Sequence, residues 1–324
     1  MNHILLVDDE ANILASLKRE LMAQKGEFSI ETRTSPTEAL KLAHEKAFDL
    51  VISDYKMPEM DGVAFLQAFR EIQPDAARII LSGQTDQHAL VDAINRTHIY
   101  RFIGKPWNEL ELAGAVSQAL ALHEAARRNR WLAGEYRVKY GHPAKSEEAE
   151  KRHQILVVDD EQNTLNAVVR DLARHSPFQG LCAALRREAS HERAHEPDLH
   201  FIVETAVSPL AALQRAQEVD YELVIADFLM PEMNGLDFLE AFRKIRPDAA
   251  RILFSGHADM KILSDAINSS EIYAFIAKPW SEYDLRSAVT QAIIHRDLLL
   301  ENQRLASELK LPEMRVTPQE SGKG

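Results

Sequence analysis

Short apolar runs rich in β-branched residues alternate, over the first 125 residues, with longer stretches whose apolar positions recur at helical spacing. ILLV at 4–7, FSIET at 28–32, DLVIS at 49–53, RIILS at 78–82 and IYRFI at 99–103 read as strands. Between them, Asn12–Gln24, Pro36–Lys46, Gly62–Ile72 and Asp86–Arg96 read as amphipathic helices. Ser35-Pro36, and later Ser208-Pro209, have the form of a helix start, with Ser as the cap and Pro in the first turn. Parallel strands need crossover connections, so five strands separated by helices imply an α/β fold with a doubly wound parallel sheet covered on both faces.

The pattern is written twice. HILLVDDE at 3–10 returns as HQILVVDD at 153–160, and SDYKMPEMDG around Asp54 returns as ADFLMPEMNG around Asp227. ILSGQTD at Ser82 returns as LFSGHAD at Ser255, and RFIGKPW at Lys105 as AFIAKPW at Lys278. In both copies the central Asp lies 28 residues before the Ser and 51 before the Lys. A period this long implies two folded domains in tandem rather than a solenoid.

The copies differ by an insertion. Leu21 pairs with Leu172 and Glu31 with Glu204, so the offset grows from 151 to 173 and leaves 22 extra residues between the second copy's first helix and second strand. Leu181–His195 could extend or add a helix there. His175, His191, His195 and His200 lack cysteine neighbours and regular ligand spacing, which favours a solvated loop over a metal site.

After each lysine comes a last helix too long for its domain. The first is expected from about Asn108 to Asn129, leading into a linker with Trp131, Gly134, Gly141 and Pro143; residues 124–152 hold eight Lys/Arg against five Glu. The second is expected from Glu282 to roughly Lys310, where Leu298, Asn302, Leu305 and Leu309 follow the spacing of a short coiled-coil seam with one polar position. That seam could face its own domain or a second copy of the chain. The expected division is a first domain at 1–125, a helical and basic linker at 126–151, a second domain at 152–298 with its insertion at about 173–200, and a helix extension with a disordered tail at 299–324.

Composition narrows the class. A hydrophobic share of 45% with 27% charged residues describes a soluble globular protein, and a net charge of -12 argues against a general nucleic-acid or membrane binder. The single Cys182 excludes an internal disulfide and fits a reducing compartment. No apolar run approaches a membrane span, and MNHILLV enters a strand without a signal-peptide pattern, so the expected location is the cytoplasm.

Parallel sheets of this kind bind ligands at the carboxyl ends of their strands. Asp8 and Asp9 follow the first strand, Asp54 ends the third, Ser82 the fourth and Lys105 the fifth, so all fall on one rim. Asp159, Asp160, Asp227, Ser255 and Lys278 repeat that rim in the second copy. Three gathered carboxylates suit a hard cation such as Mg2+, which takes oxygen ligands and keeps several waters. Carboxylates also act as nucleophiles in aspartyl-phosphate formation, and phosphoryl transfer asks mainly for positioning and charge neutralisation. Lys105 with Ser82, and Lys278 with Ser255, have the chemistry to supply part of that neutralisation. Helix caps and surface charges would account for one or two of these residues, but not for the whole set kept in register twice.

The acidic pair, MPEMDG or MPEMNG after the central Asp, the SG pair and KPW together resemble the receiver domain of bacterial two-component response regulators, over roughly residues 1–125 and 152–298. The resemblance implies two CheY-like, flavodoxin-like sheets. It implies that Asp54 and Asp227 accept phosphate from a phosphohistidine, that Asp9 and Asp160 bind Mg2+ directly with Asp8 and Asp159 assisting, and that the backbone carbonyls of Lys56 and Leu229 are further ligands. Ser82 and Ser255 would contact the phosphoryl group, Lys105 and Lys278 would pair with it, and the bonds to Pro106 and Pro279 would be cis. Phe102 and Phe275 fall at the family's switch-aromatic position, three residues before the lysine. The two sites differ where Lys56 and Gln84 are replaced by Leu229 and His257, which predicts unequal phosphate lifetimes.

The function so implied is a tandem-receiver response regulator that takes phosphate from a sensor histidine kinase or a histidine phosphotransfer protein. No DNA-binding, cyclase, phosphodiesterase or ATP-binding segment is legible after Arg296, so output is expected through protein contacts, with the two receivers packed together or a homodimer formed through the terminal helix. Enzymatic activity is expected only as Mg2+-dependent self-phosphorylation and autodephosphorylation. Two other classes stay open: a small-molecule phosphatase using the same acidic rim, with the insertion as its cap, and an unphosphorylated scaffold.

Overall fold

The structure, a computed structural model, describes residues 1–23, 28–83, 100–141, 152–173, 200–256 and 272–311. In the first copy β1 (Asn2–Val7), α1 (Ala11–Ala23), β2 (Phe28–Arg33), α2 (Pro36–Glu45), β3 (Leu50–Asp54), α3 (Gly62–Ile72), β4 (Ala77–Gly83) and β5 (Arg101–Lys105) lead into α4 (Glu109–Tyr140). The second repeats this as β6 (Arg152–Val158), α5 (Gln162–Leu172), β7 (His200–Ala206), α6 (Pro209–Glu218), β8 (Leu223–Asp227), α7 (Gly235–Ile245), β9 (Ala250–Ser255), β10 (Ala274–Ala277) and α8 (Glu282–Leu309). Each copy forms one five-stranded, wholly parallel sheet, in the orders β2-β1-β3-β4-β5 and β7-β6-β8-β9-β10.

The central strands are buried on both faces, which is why Leu50–Asp54 and Leu223–Asp227 read as apolar runs rather than alternations. Ser35 and Ser208 cap α2 and α6, accepting from the amides of Glu38 and Ala211. The expected helix at Asp86–Arg96, the insertion with Leu181–His195, His175, His191 and His195, and the tail lie outside the described residues, as do Gln84, His257 and the Phe102 side chain. His200 opens β7.

The first terminal helix departs from expectation. It does not end near Asn129 but runs to Tyr140, and Trp131 and Gly134 sit within it rather than in a linker. The reason is tertiary. Leu132, Ala133 and Tyr136 pack with Leu305, Ala306 and Leu309 of α8 in a small core separate from those of the sheets. Asn302 donates to the carbonyl of Ala125, and Tyr140 to that of Glu308, so contacts advance along both helices together and the pair is parallel. The seam of Leu298, Asn302, Leu305 and Leu309 is therefore filled by the first copy within the same chain.

The two copies also meet where the chain enters β5 and β10. Tyr100 and Tyr273, separated by the repeat offset of 173, face each other hydroxyl to hydroxyl at 3.1 Å. Gln291 of α8 donates to the Tyr100 carbonyl, and Ile294 is buried in the first copy's core beside Tyr283 and Leu298. Tyr100→Phe should cost about 1 kcal/mol in urea unfolding, the usual worth of one buried hydrogen bond, because it leaves the Tyr273 hydroxyl without this partner.

His295 packs its ring against Tyr273 at 5.2 Å beside this junction, and burial pushes its pKa down to about 4. A depressed histidine favours the folded state above its unfolded value of about 6.5 and withdraws that support as pH falls toward 4. Stability should thus drop by up to about 3 kcal/mol across that window. His295→Leu, which installs the residue found at the equivalent Leu122, should flatten the drop in pH-dependent thermal melting.

Candidate functional site

Pairing register aligns the carboxyl ends of the strands. Asp54 sits opposite Leu81, Ser82 opposite Gly104, and Gly83 opposite Lys105. In the second copy Asp227 sits opposite Phe254, and Ser255 opposite Ala277. The structure thereby brings Asp8, Asp54, Ser82 and Lys105 to one rim, and Asp159, Asp227, Ser255 and Lys278 to the other.

The lysine bridges two carboxylates in each copy. Lys105 Nζ lies 2.8 Å from Asp8 Oδ2 and 2.5 Å from Asp54 Oδ1; Lys278 Nζ lies 2.7 Å from Asp159 Oδ2 and 2.5 Å from Asp227 Oδ1. Burial lowers the lysine pKa in each case, but the two carboxylates outweigh it and hold both ammonium groups above the ordinary range. Burial also raises Asp54 against the opposing pull of Lys105, and raises Asp159 against that of Lys278. Each rim thus gathers more negative charge than its one lysine cancels.

Backbone amides hold the carboxylates in place. Asp54 Oδ2 accepts from the Lys56 amide at 3.0 Å and Asp227 Oδ2 from the Leu229 amide at 3.1 Å, while Asp8 and Asp159 accept from the amides of Glu10 and Glu161. Asp9 and Asp160 are exposed beside their buried neighbours. Ser82 and Ser255 are buried and donate to the next residue's carbonyl, Gly83 and Gly256, rather than to an aspartate. Lys105-Pro106 and Lys278-Pro279 are cis. Phe275 is half-buried against the cluster that includes Phe238 and Leu253. Leu229 is 63% exposed where the first copy presents the exposed Lys56, so one rim is apolar and the other cationic at its lip.

Three supports went unread in the sequence although each is repeated. Glu59 and Glu232 take positive φ, at 72° and 73°, and their carboxylates accept from Ser35 and Thr37 and from Ser208. They tie the loop after each central Asp to the start of α2 or α6. The tryptophans after the cis prolines donate to the first helix of their own copy, Trp107 to Glu20 and Trp280 to Asp171, which anchors the lysine loop. Gly62 and Gly235 let α3 and α7 approach the aspartate backbone. The signal for all three was their recurrence within MPEMDG, MPEMNG and KPW.

Comparison with known proteins bears on the same segments. The response regulator receiver domain family matches residues 4–117 and 185–290, together more than half of the chain. The second match begins after β6, yet β6 pairs with both β7 and β8 and so completes that sheet. The hydrogenase transcriptional regulatory protein HoxA of Cupriavidus necator is 36% identical over 117 residues, 36% of this chain and 24% of that protein. The chemotaxis protein CheY of Bacillus subtilis is 28% identical over 120 residues, 37% of this chain and 99% of that protein. The chain spans 28% of the length of HoxA from Bradyrhizobium diazoefficiens, at 30% identity over 43% of itself. Among solved structures, the signal receiver domain of an HD domain-containing protein from Pseudomonas fluorescens Pf-5 covers 39% of this chain and 91% of its own, at 36% identity and a TM-score of 0.37.

Proposed function

The chain belongs to the response regulator receiver domain family, twice over, and we propose that it works as a tandem phosphoacceptor in two-component signalling, with Asp54 and Asp227 as the two acceptors. The observation that carries this reading is the lysine held between two buried carboxylates, reproduced to within 0.1 Å in both copies. Asp54 is the natural nucleophile because it is central on the rim, with one oxygen on Lys105 and the other on a backbone amide. Attack on phosphorus forms the aspartyl O–P bond as the P–N bond of a phosphohistidine breaks, and the histidine nitrogen regains a proton. The donor is a sensor histidine kinase or a histidine phosphotransfer protein.

Asp8, Asp9 and Asp54 with the Lys56 carbonyl, and Asp159, Asp160 and Asp227 with the Leu229 carbonyl, would hold Mg2+. The donor set fits: each rim collects hard carboxylate oxygens and an excess of negative charge. Mg2+ supplies charge neutralisation on the phosphoryl oxygens. Lys105 stays cationic throughout the physiological range and exchanges its Asp54 partner for a phosphoryl oxygen. The Ser82 hydroxyl rotates from the Gly83 carbonyl toward the same group, and Phe102 and Phe275 respond on the neighbouring strands. The exposed Leu229 against Lys56 gives the sites unequal access to water and so unequal phosphate lifetimes. The output is protein contact, and the location is the cytoplasm.

Intact-mass measurement after acetyl phosphate and Mg2+ tests this. Two phosphoryl additions are expected, one lost in Asp54→Asn and the other in Asp227→Asn; a protein unmodified by both acetyl phosphate and a cognate kinase would sink the reading. Mg2+ alone should raise the melting temperature, by a stabilisation of about 2.7 kcal/mol per site at a hundredfold excess over its Kd. Asp8→Ala and Asp159→Ala should each remove one site's share.

A further inference from the structure

The two rims share a fold but not a lip. Val169, Val207, Leu210 and Leu229 of the second copy are between 40% and 63% exposed. Their counterparts in the first copy, at the offsets of 151 and 173, are Lys18, Thr34, Thr37 and Lys56, polar at all four places. The same elements thus form without an apolar lip, and folding does not ask for one. The four positions lie together around the acceptor. Leu229 gives its amide to Asp227 Oδ2, and Val207 follows Ala206, whose carbonyl accepts from the Asp159 amide. Ser208 donates to Glu232 and so ties the first turn of α6, which carries Leu210, to the loop after Asp227. Lys18 and Thr34 line one groove between α1 and β2, which places Val169 and Val207 in the equivalent groove between α5 and β7.

Charge does not mark this lip. Arg170 pairs with Asp171, and Arg215 with Glu204 and Glu218, while the exposed Asp160 and Glu161 follow β6 at the acidic end of the rim. The first copy's lip mixes signs, with Lys18, Arg33 and Lys56 against Glu10, Glu38 and Glu59. What separates the two copies is exposed aliphatic surface. A protein that delivers phosphate to Asp227 must seat its phosphohistidine on this rim, and in doing so it covers the lip. Resting on that reading of the site, we infer that the second receiver selects a protein donor whose phosphohistidine lies among apolar side chains on a helix, and that the first receiver makes no such selection. The donor's apolar side chains enter the groove between α5 and β7 and cover Val207, Leu210 and Leu229, as an amphipathic helix fills a groove. The P–N bond of the donor breaks as the aspartyl O–P bond forms, and the histidine nitrogen regains a proton. A second copy of this chain held on the lip would shut Asp227 off from any protein donor.

The test uses the full chain as Asp54→Asn, in which only Asp227 reports, and as Asp227→Asn, in which only Asp54 reports. The probes are two helical peptides, each with one histidine phosphorylated by phosphoramidate. In one, leucines flank the histidine on its own helix face; in the other, glutamines do. Initial rates of phosphoryl addition with Mg2+ are read by intact mass and divided by the rate from acetyl phosphate, which needs no lip. The leucine peptide should outpace the glutamine peptide roughly tenfold or more at Asp227 and show no preference at Asp54. Val169→Lys with Val207→Thr and Leu210→Thr, which installs the first copy's residues, should abolish the preference at Asp227. Equal ratios at the two acceptors, a preference that survives the triple variant, or labelling by acetyl phosphate but by neither peptide overturns the inference. So does a lower melting temperature in the triple variant, which would mean that the chain itself covers the lip, or self-association abolished by it, which would make a second copy the occupant. Failure of acetyl phosphate and of both peptides would instead sink the acceptor reading on which the inference rests.

Discussion

Gly62→Ala should cost the first receiver about 3 kcal/mol or more and prevent phosphoryl addition at Asp54 while leaving Asp227 competent. The conflict is with backbone. A Cβ on Gly62 would stand 2.1 Å from the Asp54 carbonyl oxygen and 3.0 Å from the Tyr55 Cα, and neither can swing aside as a side-chain tip would. Gly62 itself donates its amide to the Tyr55 carbonyl at 2.8 Å, so opening space for the methyl also breaks that bond. Asp61 caps α3 one residue earlier, which leaves the helix start little freedom to retreat. The substitution therefore displaces the segment that carries the acceptor's carboxylate. Gly235→Ala should do the same to Asp227, since its Cβ would lie 2.2 Å from the Asp227 carbonyl and 2.8 Å from Leu253 Cδ1. Thermal unfolding should resolve a destabilised domain in each variant, and intact mass after acetyl phosphate should show one addition instead of two. Wild-type melting in both variants would mean that the helices do not approach the aspartates this closely.

The rim was legible because its residues recur at fixed spacing and parallel strands put their carboxyl ends together. Asp8, Asp54 and Lys105 are far apart in sequence, and only the topology makes them neighbours; once five strands were read, their convergence followed. Helix starts at Pro36 and Pro209 were legible for a local reason, the cap-forming Ser before each. The extension of α4 to Tyr140 was not, because RWLAGEYRVKY contains a glycine together with a valine and aromatic residues of lower helix propensity. What holds that segment helical is Leu305 and Leu309 of α8, more than 160 residues away, and no local signal reports it. The roles of Glu59 and Trp107 were hidden for the same reason: the partners Thr37 and Glu20 identify them only in three dimensions.

Leu305→Asp should separate the two terminal helices and loosen the receivers from one another, at a cost of about 4 kcal/mol. Leu305 is fully buried, and its surroundings are Leu132, Ala306 and the partly buried Ala133, Tyr136 and Leu309, none of which can solvate a carboxylate. Leu132→Asp, at the pseudo-equivalent position, should have a matching effect. The pair Leu132→Lys with Leu305→Asp should recover part of the loss, because the two positions face each other in a parallel seam. Small-angle scattering should show an increase in the radius of gyration for each single variant, together with two resolved unfolding transitions where wild type shows stronger coupling. The register of the seam has its own determinant. Asn129 and Asn302 are 173 residues apart and occupy equivalent places, and Asn302 donates to the Ala125 carbonyl from a buried position. A buried asparagine in a coiled-coil seam trades stability for a unique alignment. Asn302→Leu should therefore leave the helices paired but no longer hold Tyr140 against the Glu308 carbonyl, so distances between spin labels near 139 and 308 should broaden while the compact radius is kept. An unchanged radius in both aspartate variants would show that the receivers are held together by the Tyr100–Tyr273 junction with the Gln291 and Ile294 contacts beside it.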